Sequence, residues 1–173
     1  MIDVETLTQA EERFQPIIAQ ANGRQIESAQ TIWLAAGLSV HRIRGEKSRS
    51  AADLFDEFQM ALEFPTYFGH NWDAFSDCIT DLSWLQAGAG IVLLVTEPGE
   101  VLREPGNAEL SRLVRLLDAA ANEWGRSVSE GQWWDRPPVP FHVVLACEPG
   151  EVETARQRWV AAGASVADAT SNF

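Results

Sequence analysis

Three aspartates, Asp73, Asp77 and Asp81, follow one another at four-residue steps near the middle of the chain. In a helix this spacing places their carboxylates on one face, about one turn apart. Like charges at that spacing oppose helix formation by about 0.2–0.5 kcal/mol for each pair. A row of carboxylates kept against this repulsion indicates a surface that meets a cationic partner.

Apolar residues occupy the other side of the same segment. They recur at three- and four-residue steps: Trp72, Phe75, Cys78, Ile79 and Leu82. Such a stripe is typical of a helix that packs one face against a core. The pattern therefore predicts an amphipathic helix over residues 71–82 whose acidic row is exposed.

The acidic row is compatible with acid–base catalysis, metal binding, partner binding or a plain solvated surface. Catalysis by paired carboxylates needs burial and a second wall of a cleft, which a single exposed helix face does not supply. A metal site needs ligands from further elements, and the chain has only three histidines, His41, His70 and His142. We therefore predict no catalytic residue, no metal and no cofactor, and we favour partner binding over a solvated surface.

Cys78 and His70 suggest a thiolate nucleophile with its base. A reactive thiol must be accessible and within hydrogen-bond reach of that base. Cys78 lies on the apolar stripe and His70 precedes the helix, so we interpret Cys78 as a core residue. The sequence also lacks the phosphate-binding loops and the common hydrolase motifs, so we expect that the protein is not an enzyme.

The net charge indicates which classes of partner the protein can bind. The 173 residues carry a net charge of -12, and residues 50–102 contain nine Asp and Glu but no Lys or Arg. Such a field repels nucleic acids and anionic membranes and attracts basic proteins, although the same charge also serves solubility. The sequence shows neither a signal peptide nor an apolar run long enough to span a bilayer, so we expect a cytoplasmic protein.

The remaining patterns predict helices and strands in alternation. Helices are expected over residues 5–20, 27–36, 107–123 and 152–162, and strands over 38–43, 90–96 and 141–147. A further helix begins at a capping box formed by Ser50 and Asp53 and ends before Pro65. This order predicts an α/β domain with parallel strands.

A Trp- and Pro-rich loop over residues 125–140 carries Trp133 and Trp134. Tryptophan is enriched among the residues that dominate protein interfaces, and it is equally suited to covering apolar surface. The two residues therefore either anchor an interface or cover the end of the sheet.

Residues 65–80 read PTYFGHNWDAFSDCIT, and IRGE stands at residues 43–46 before them. This motif and the order of elements resemble the barstar family, the intracellular inhibitors of the secreted ribonuclease barnase. The resemblance covers about residues 40–147. It implies a single barstar-like domain with a small parallel three-stranded sheet packed by helices. The residues outside the match are expected to add an N-terminal helical extension (1–39) and an extra C-terminal helix and tail (148–173) to this domain.

The resemblance also implies a function, namely that of an immunity protein. Such a chain binds and occludes the basic active site of a secreted or injected ribonuclease toxin, with helix carboxylates in the place of substrate phosphates. Matching the motif gives partner contacts at Tyr67, Asp73, Asp77 and Thr80, with Asp77 central. Ser76 and Asp81 lie on the same helix and complete the predicted contact set. The alternative is an acidic protein-interaction module, or an immunity protein against a partner that is not a ribonuclease.

Two positions depart from the family pattern. Ser76 and Leu82 stand where the founding member of the family has tryptophans, so we expect specificity to differ there. The glutamate that family members contribute from the later helix has either Asp118 or Glu123 as its counterpart.

Overall fold

The computed structural model describes residues 2–11, 13–104 and 106–169 and shows a sheet with helices on both faces. The helices are α1 Val4–Leu7, α2 Gly23–Ala35, α3 Ala51–Ala61, α4 Trp72–Asp81, α5 Asn107–Trp124 and α6 Val152–Ala161. The strands are β1 Ile17–Gln20, β2 Ser39–Arg44, β3 Ile91–Thr96, β4 Phe141–Cys147 and β5 Ala167–Asp168. No helix in the described part of the chain is long and apolar enough to cross a membrane.

The sheet has the order β2-β3-β4-β1-β5, and every neighbouring pair is parallel. β3 and β4 lie inside the sheet and are buried along their whole length, as their continuous apolar sequences predict. The core layer on one face contains α3, α4, α5 and α6, and the layer on the other face contains α1 and α2. The sheet therefore separates α4, the acidic helix, from α2.

The five strands correct the prediction of a three-stranded sheet, because both extensions contribute a strand. The predicted helix over 5–20 is wrong: α1 ends at Leu7, and Ile17–Gln20 pairs with β4 as β1. Pro16 lacks the N–H that a helix interior needs, and the β-branched Ile17 and Ile18 each enter a different core layer. The N-terminal extension is thus only partly helical, and the C-terminal tail adds β5 beside β1.

The predicted helices α3 and α4 are confirmed, α3 together with its capping box. Ser50 and Asp53 form the expected capping box of α3. The Asn71 side chain caps α4, and Leu82 ends this helix in the left-handed region with φ of 40°. The start of the helix that carries the acidic row is therefore defined by local sequence.

Glu57 joins α3 to β2. Its buried carboxylate accepts hydrogen bonds from the Arg44 backbone N–H over 2.9 Å and from the Arg44 guanidinium over 2.8 Å. Burial opposes ionisation of this carboxyl, but the hydrogen bonds and charge of Arg44 hold its pKa below the ordinary value. The pair thus fixes α3 on the sheet at the place where α3 supports α4.

Gly45 lies where the chain leaves β2 and passes close to the end of β3. A Cβ on Gly45 would lie 2.0 Å from the Glu97 carbonyl oxygen and 2.7 Å from the Thr96 carbonyl oxygen. Both atoms belong to the backbone and cannot move aside at low cost, so the close approach requires glycine. This contact explains why the IRGE segment has a glycine at position 45.

We expect Gly45→Ala to lower the free energy of unfolding by about 1–3 kcal/mol, the usual cost of overpacking. Gly23→Ala is the matched control, because a Cβ on Gly23 meets nothing within 4 Å and the residue begins α2. Urea unfolding followed by circular dichroism measures both variants. Equal stability of the two would contradict the close approach at Gly45.

Candidate partner-binding site

Burial of the apolar stripe fixes the orientation of α4. Phe75, Cys78 and Ile79 lie in the larger core layer, as the three- and four-residue spacing predicts. The Phe75 ring packs edge-on against Phe58 of α3, with ring centroids 5.0 Å apart. Such aromatic pairs contribute about 0.5–1.5 kcal/mol beyond the area they bury. Rotation of α4 about its axis would expose this stripe, so the opposite face must point outward.

The loop before α4 is anchored by two buried phenylalanines, Phe64 and Phe68, whose rings also meet edge-on at 5.0 Å. His70 Nδ1 lies 3.1 Å from the Phe68 carbonyl oxygen, and its Nε2 lies 3.2 Å from a carboxylate oxygen of Asp56 on α3. Tyr67 sits between these anchors and is 76% exposed. The loop therefore presents the phenol of Tyr67 to solvent immediately before α4.

Both ends of α4 contact α5. Trp72 Nε1 donates a hydrogen bond to Glu109 over 2.7 Å, and the Arg112 guanidinium lies 5.6 Å from the Trp72 ring centroid. At the other end, Trp124 Nε1 donates to the Ile79 carbonyl oxygen over 3.2 Å. Sequence reasoning missed Glu109 and Arg112, because no local pattern connects residues that are 37 positions apart, as Trp72 and Glu109 are.

The acidic row lies on the outer side of α4, as predicted. Asp73, Asp77 and Asp81 are all exposed, and successive members rise by about 6 Å along the helix axis. Within the described ranges, no basic side chain lies at ion-pair distance from any of the three. Their charges are therefore available to a binding partner.

Ser76 and Thr80 are half-buried beside this row. The Thr80 hydroxyl lies 2.8 Å from the Ser76 carbonyl oxygen and 3.2 Å from that of Asp77, so its hydrogen is donated within the helix. The hydroxyl oxygen remains an acceptor for a donor on a partner. The structure thus brings five of the six predicted contact residues together along α4 and places Tyr67 in the loop leading into it.

Leu82 does not belong to this surface. It is 1% exposed and lies in the larger core layer, as its place on the apolar stripe predicts. The expectation that Leu82 contributes to specificity is therefore wrong, and only Ser76 of the two departing positions is accessible.

The two candidate acids on α5 lie on different sides of that helix. Successive residues turn by about 100°, so Glu123 shares the side of Glu109, which contacts α4, whereas Asp118 lies opposite. Asp118 instead lines a cleft with Arg13 and Ala164. The geometry therefore favours Glu123 as the acid nearer to the acidic row.

The three histidines have structural contacts. A ring nitrogen of His41 lies 2.8 Å from the Ala61 carbonyl oxygen, and a ring nitrogen of His142 lies 2.9 Å from the Gln9 carbonyl oxygen. His70 contacts the Phe68 carbonyl oxygen in the same way. Burial lowers the pKa of His41. Among the residues that the structure describes, no three or more His, Cys, Asp and Glu are grouped so that they could hold a metal ion.

Solved structures with low sequence identity to this chain have a partly similar fold. The crystal structure of Cdc6p from Pyrobaculum aerophilum matches with a TM-score of 0.51 and 12% identity, over 92% of this chain and 40% of that one. The structure of Drosophila ORC bound to DNA matches with a TM-score of 0.47 and 14% identity, over 96% of this chain and 85% of that one. At 12% identity the first match indicates a similar fold and nothing about function.

No curated protein sequence matches the chain. The model of the family described as barstar (barnase inhibitor) matches residues 38–146, which is more than half of the chain. The matched region runs from the residue before β2 almost to the end of β4 and contains α3, α4, α5 and the whole acidic row. The chain therefore belongs to the barstar family.

Proposed function

We propose that this protein is an immunity protein that inhibits a basic secreted or injected ribonuclease by occluding its active site with the outer face of α4. The observation that carries the proposal is the row of three exposed, uncompensated carboxylates on a helix whose orientation the core determines. Membership of a family of barnase inhibitors supports the same conclusion. In this proposal Asp77 is the central contact, flanked by Asp73 and Asp81.

Electrostatics supports a basic partner. Active sites that bind RNA phosphates are lined by arginine and lysine, and carboxylates form strong, charge-assisted hydrogen bonds with both. A net charge of -12 also accelerates the encounter with a basic protein by long-range attraction. Tyr67, Ser76 and Thr80 then supply hydroxyl groups beside the carboxylates, and the replacement of a family tryptophan by Ser76 suits a toxin other than barnase. Protection against such a toxin places the inhibitor in the cytoplasm, where the toxin's RNA substrates are.

The protein would act by occlusion without turnover. Burial raises the pKa of the Cys78 thiol, and the neighbouring carboxylates of Asp77 and Asp81 raise it further. Burial also raises the pKa of Cys147 to about 12. Neither thiol is thus prepared to act as a nucleophile at neutral pH.

We expect Asp77→Ala to weaken inhibition of a basic ribonuclease by at least about 30-fold, which is the lower limit for removing one partner of a desolvated charge pair. The range behind this limit includes members of the barstar family itself. The probes are barnase and any basic secreted nuclease encoded beside this chain's gene. Titration of RNA cleavage with wild-type and variant inhibitor measures the loss. The variant should fold normally, since Asp77 is exposed and its removal relieves like-charge repulsion.

Glu27→Ala is the matched control, because it also removes one exposed carboxylate but lies on α2, behind the sheet. Its inhibition should equal that of the wild type. If Asp77→Ala inhibits as strongly as the wild type, the acidic row does not enter the active site. If the wild-type chain inhibits none of the probes, the ribonuclease proposal fails in favour of an acidic interaction module.

We further expect both free cysteines, Cys78 and Cys147, to resist a thiol reagent such as DTNB in the native protein. Reaction should be at least roughly 100-fold slower than in the urea-unfolded chain, because burial suppresses both access and thiolate formation. Absorbance of the released thiolate measures the rate. A native thiol that reacts as fast as the unfolded chain would revive an enzymatic role for that cysteine.

A further inference from the structure

The loop between α5 and β4 displays two tryptophans to solvent. Trp133 is 90% exposed and Trp134 is 46% exposed, with their rings edge-on at 5.4 Å between centroids. Neither residue covers the end of the sheet, so that alternative of the two that the sequence left open is wrong. A large aromatic side chain held out into water in this way is the kind of group that anchors protein interfaces.

The tip of this loop is held by its own hydrogen bonds. The Asp135 carboxylate accepts from the backbone N–H groups of Glu130 and Gly131, each over 2.8 Å, and these bonds lower the pKa of Asp135. Trp134 Nε1 donates to the Glu130 carboxylate over 3.0 Å. Trp133 is thus displayed by an organised turn, which reduces the entropy lost when it binds.

The base of the loop is joined to the C-terminal end of α4. Val128 and Arg136 pair through two backbone hydrogen bonds of 2.8 and 3.0 Å. The Arg136 guanidinium lies 4.5 Å from the Trp124 ring centroid and donates to the carbonyl oxygens of Glu123 and Trp124. Trp124 in turn donates to the Ile79 carbonyl oxygen of α4. The tryptophan loop therefore adjoins the end of the helix that carries Thr80 and Asp81.

We propose that the Trp133–Trp134 loop is a second contact with the same basic nuclease, an inference that rests on the proposed function. The exposed face of Trp133 would receive a lysine or arginine of that nuclease, since an indole ring is the best side-chain acceptor for a cation. The carboxylate of Glu130 beside Trp134 reinforces the preference for a cation. A second copy of this chain or an anionic membrane is disfavoured, because each would meet the net charge of -12.

The test compares dissociation rates from the nuclease probe used for Asp77→Ala. Trp133→Ala should accelerate dissociation roughly tenfold, as expected for an interface tryptophan, while the melting temperature stays unchanged because the side chain is exposed. Trp133→Leu keeps an apolar side chain without the aromatic face and should dissociate about as fast as Trp133→Ala. Leu34→Ala on α2 is the control: Leu34 is also half-exposed and apolar but lies behind the sheet, and its rate should equal that of the wild type.

The outcomes separate this inference from the proposed function. If Asp77→Ala loses inhibition but Trp133→Ala dissociates like the wild type, the loop is not a contact and the proposed function stands. If Asp77→Ala loses nothing, both fail. Wild-type dissociation of Trp133→Leu would overturn the assignment to a cation. A Trp133-dependent dimer of the free chain in sedimentation, or Trp133-dependent binding to phosphatidylglycerol vesicles, would give the loop a different partner and overturn the inference.

Discussion

The surface proposed to bind a partner depends on the burial of the apolar stripe of α4. Burial of a phenylalanine or isoleucine side chain contributes about 1.5–3 kcal/mol, whereas each like-charge pair along the row costs about 0.2–0.5 kcal/mol. Packing of Phe75 and Ile79 therefore outweighs the repulsion among Asp73, Asp77 and Asp81. The three carboxylates cannot separate by unwinding the helix without exposing those two apolar side chains to water. They remain in a row, and a cationic partner can relieve the repulsion that the core imposes.

The contacts of α5 extend this constraint to a wider surface. The indoles of Trp72 and Trp124 hold the two ends of α4 against α5. Trp124 also stacks with Arg136, on which the tryptophan loop is built. The acidic row and the loop are thus parts of one packed unit. A partner that meets both would find them already positioned, which lowers the entropic cost of binding.

The extensions complete the sheet. If residues 38–146 were alone, β4 would be an edge strand with unpaired backbone groups, and exposed edges of apolar strands promote aggregation. β1 pairs with β4 over residues 17–20, and β5 follows on the outside. α1 and α2 then cover the second face, where Trp33 is fully buried. α6 packs on the same face of the sheet as α4, and the acidic row remains exposed.

Features that depend on local spacing could be predicted from the sequence. The amphipathic pattern of α4, the capping box of α3, the buried strands β3 and β4 and the exposure of the acidic row all follow from periodicity and local signals within a few residues. The other features became clear from the folded chain, because pairing and packing join residues that are distant in the sequence. It placed Ile17–Gln20 in the sheet instead of a helix, set Glu109 against Trp72 and exposed Trp133. Each of these outcomes depends on which surface a distant segment covers, and no local pattern contains that information.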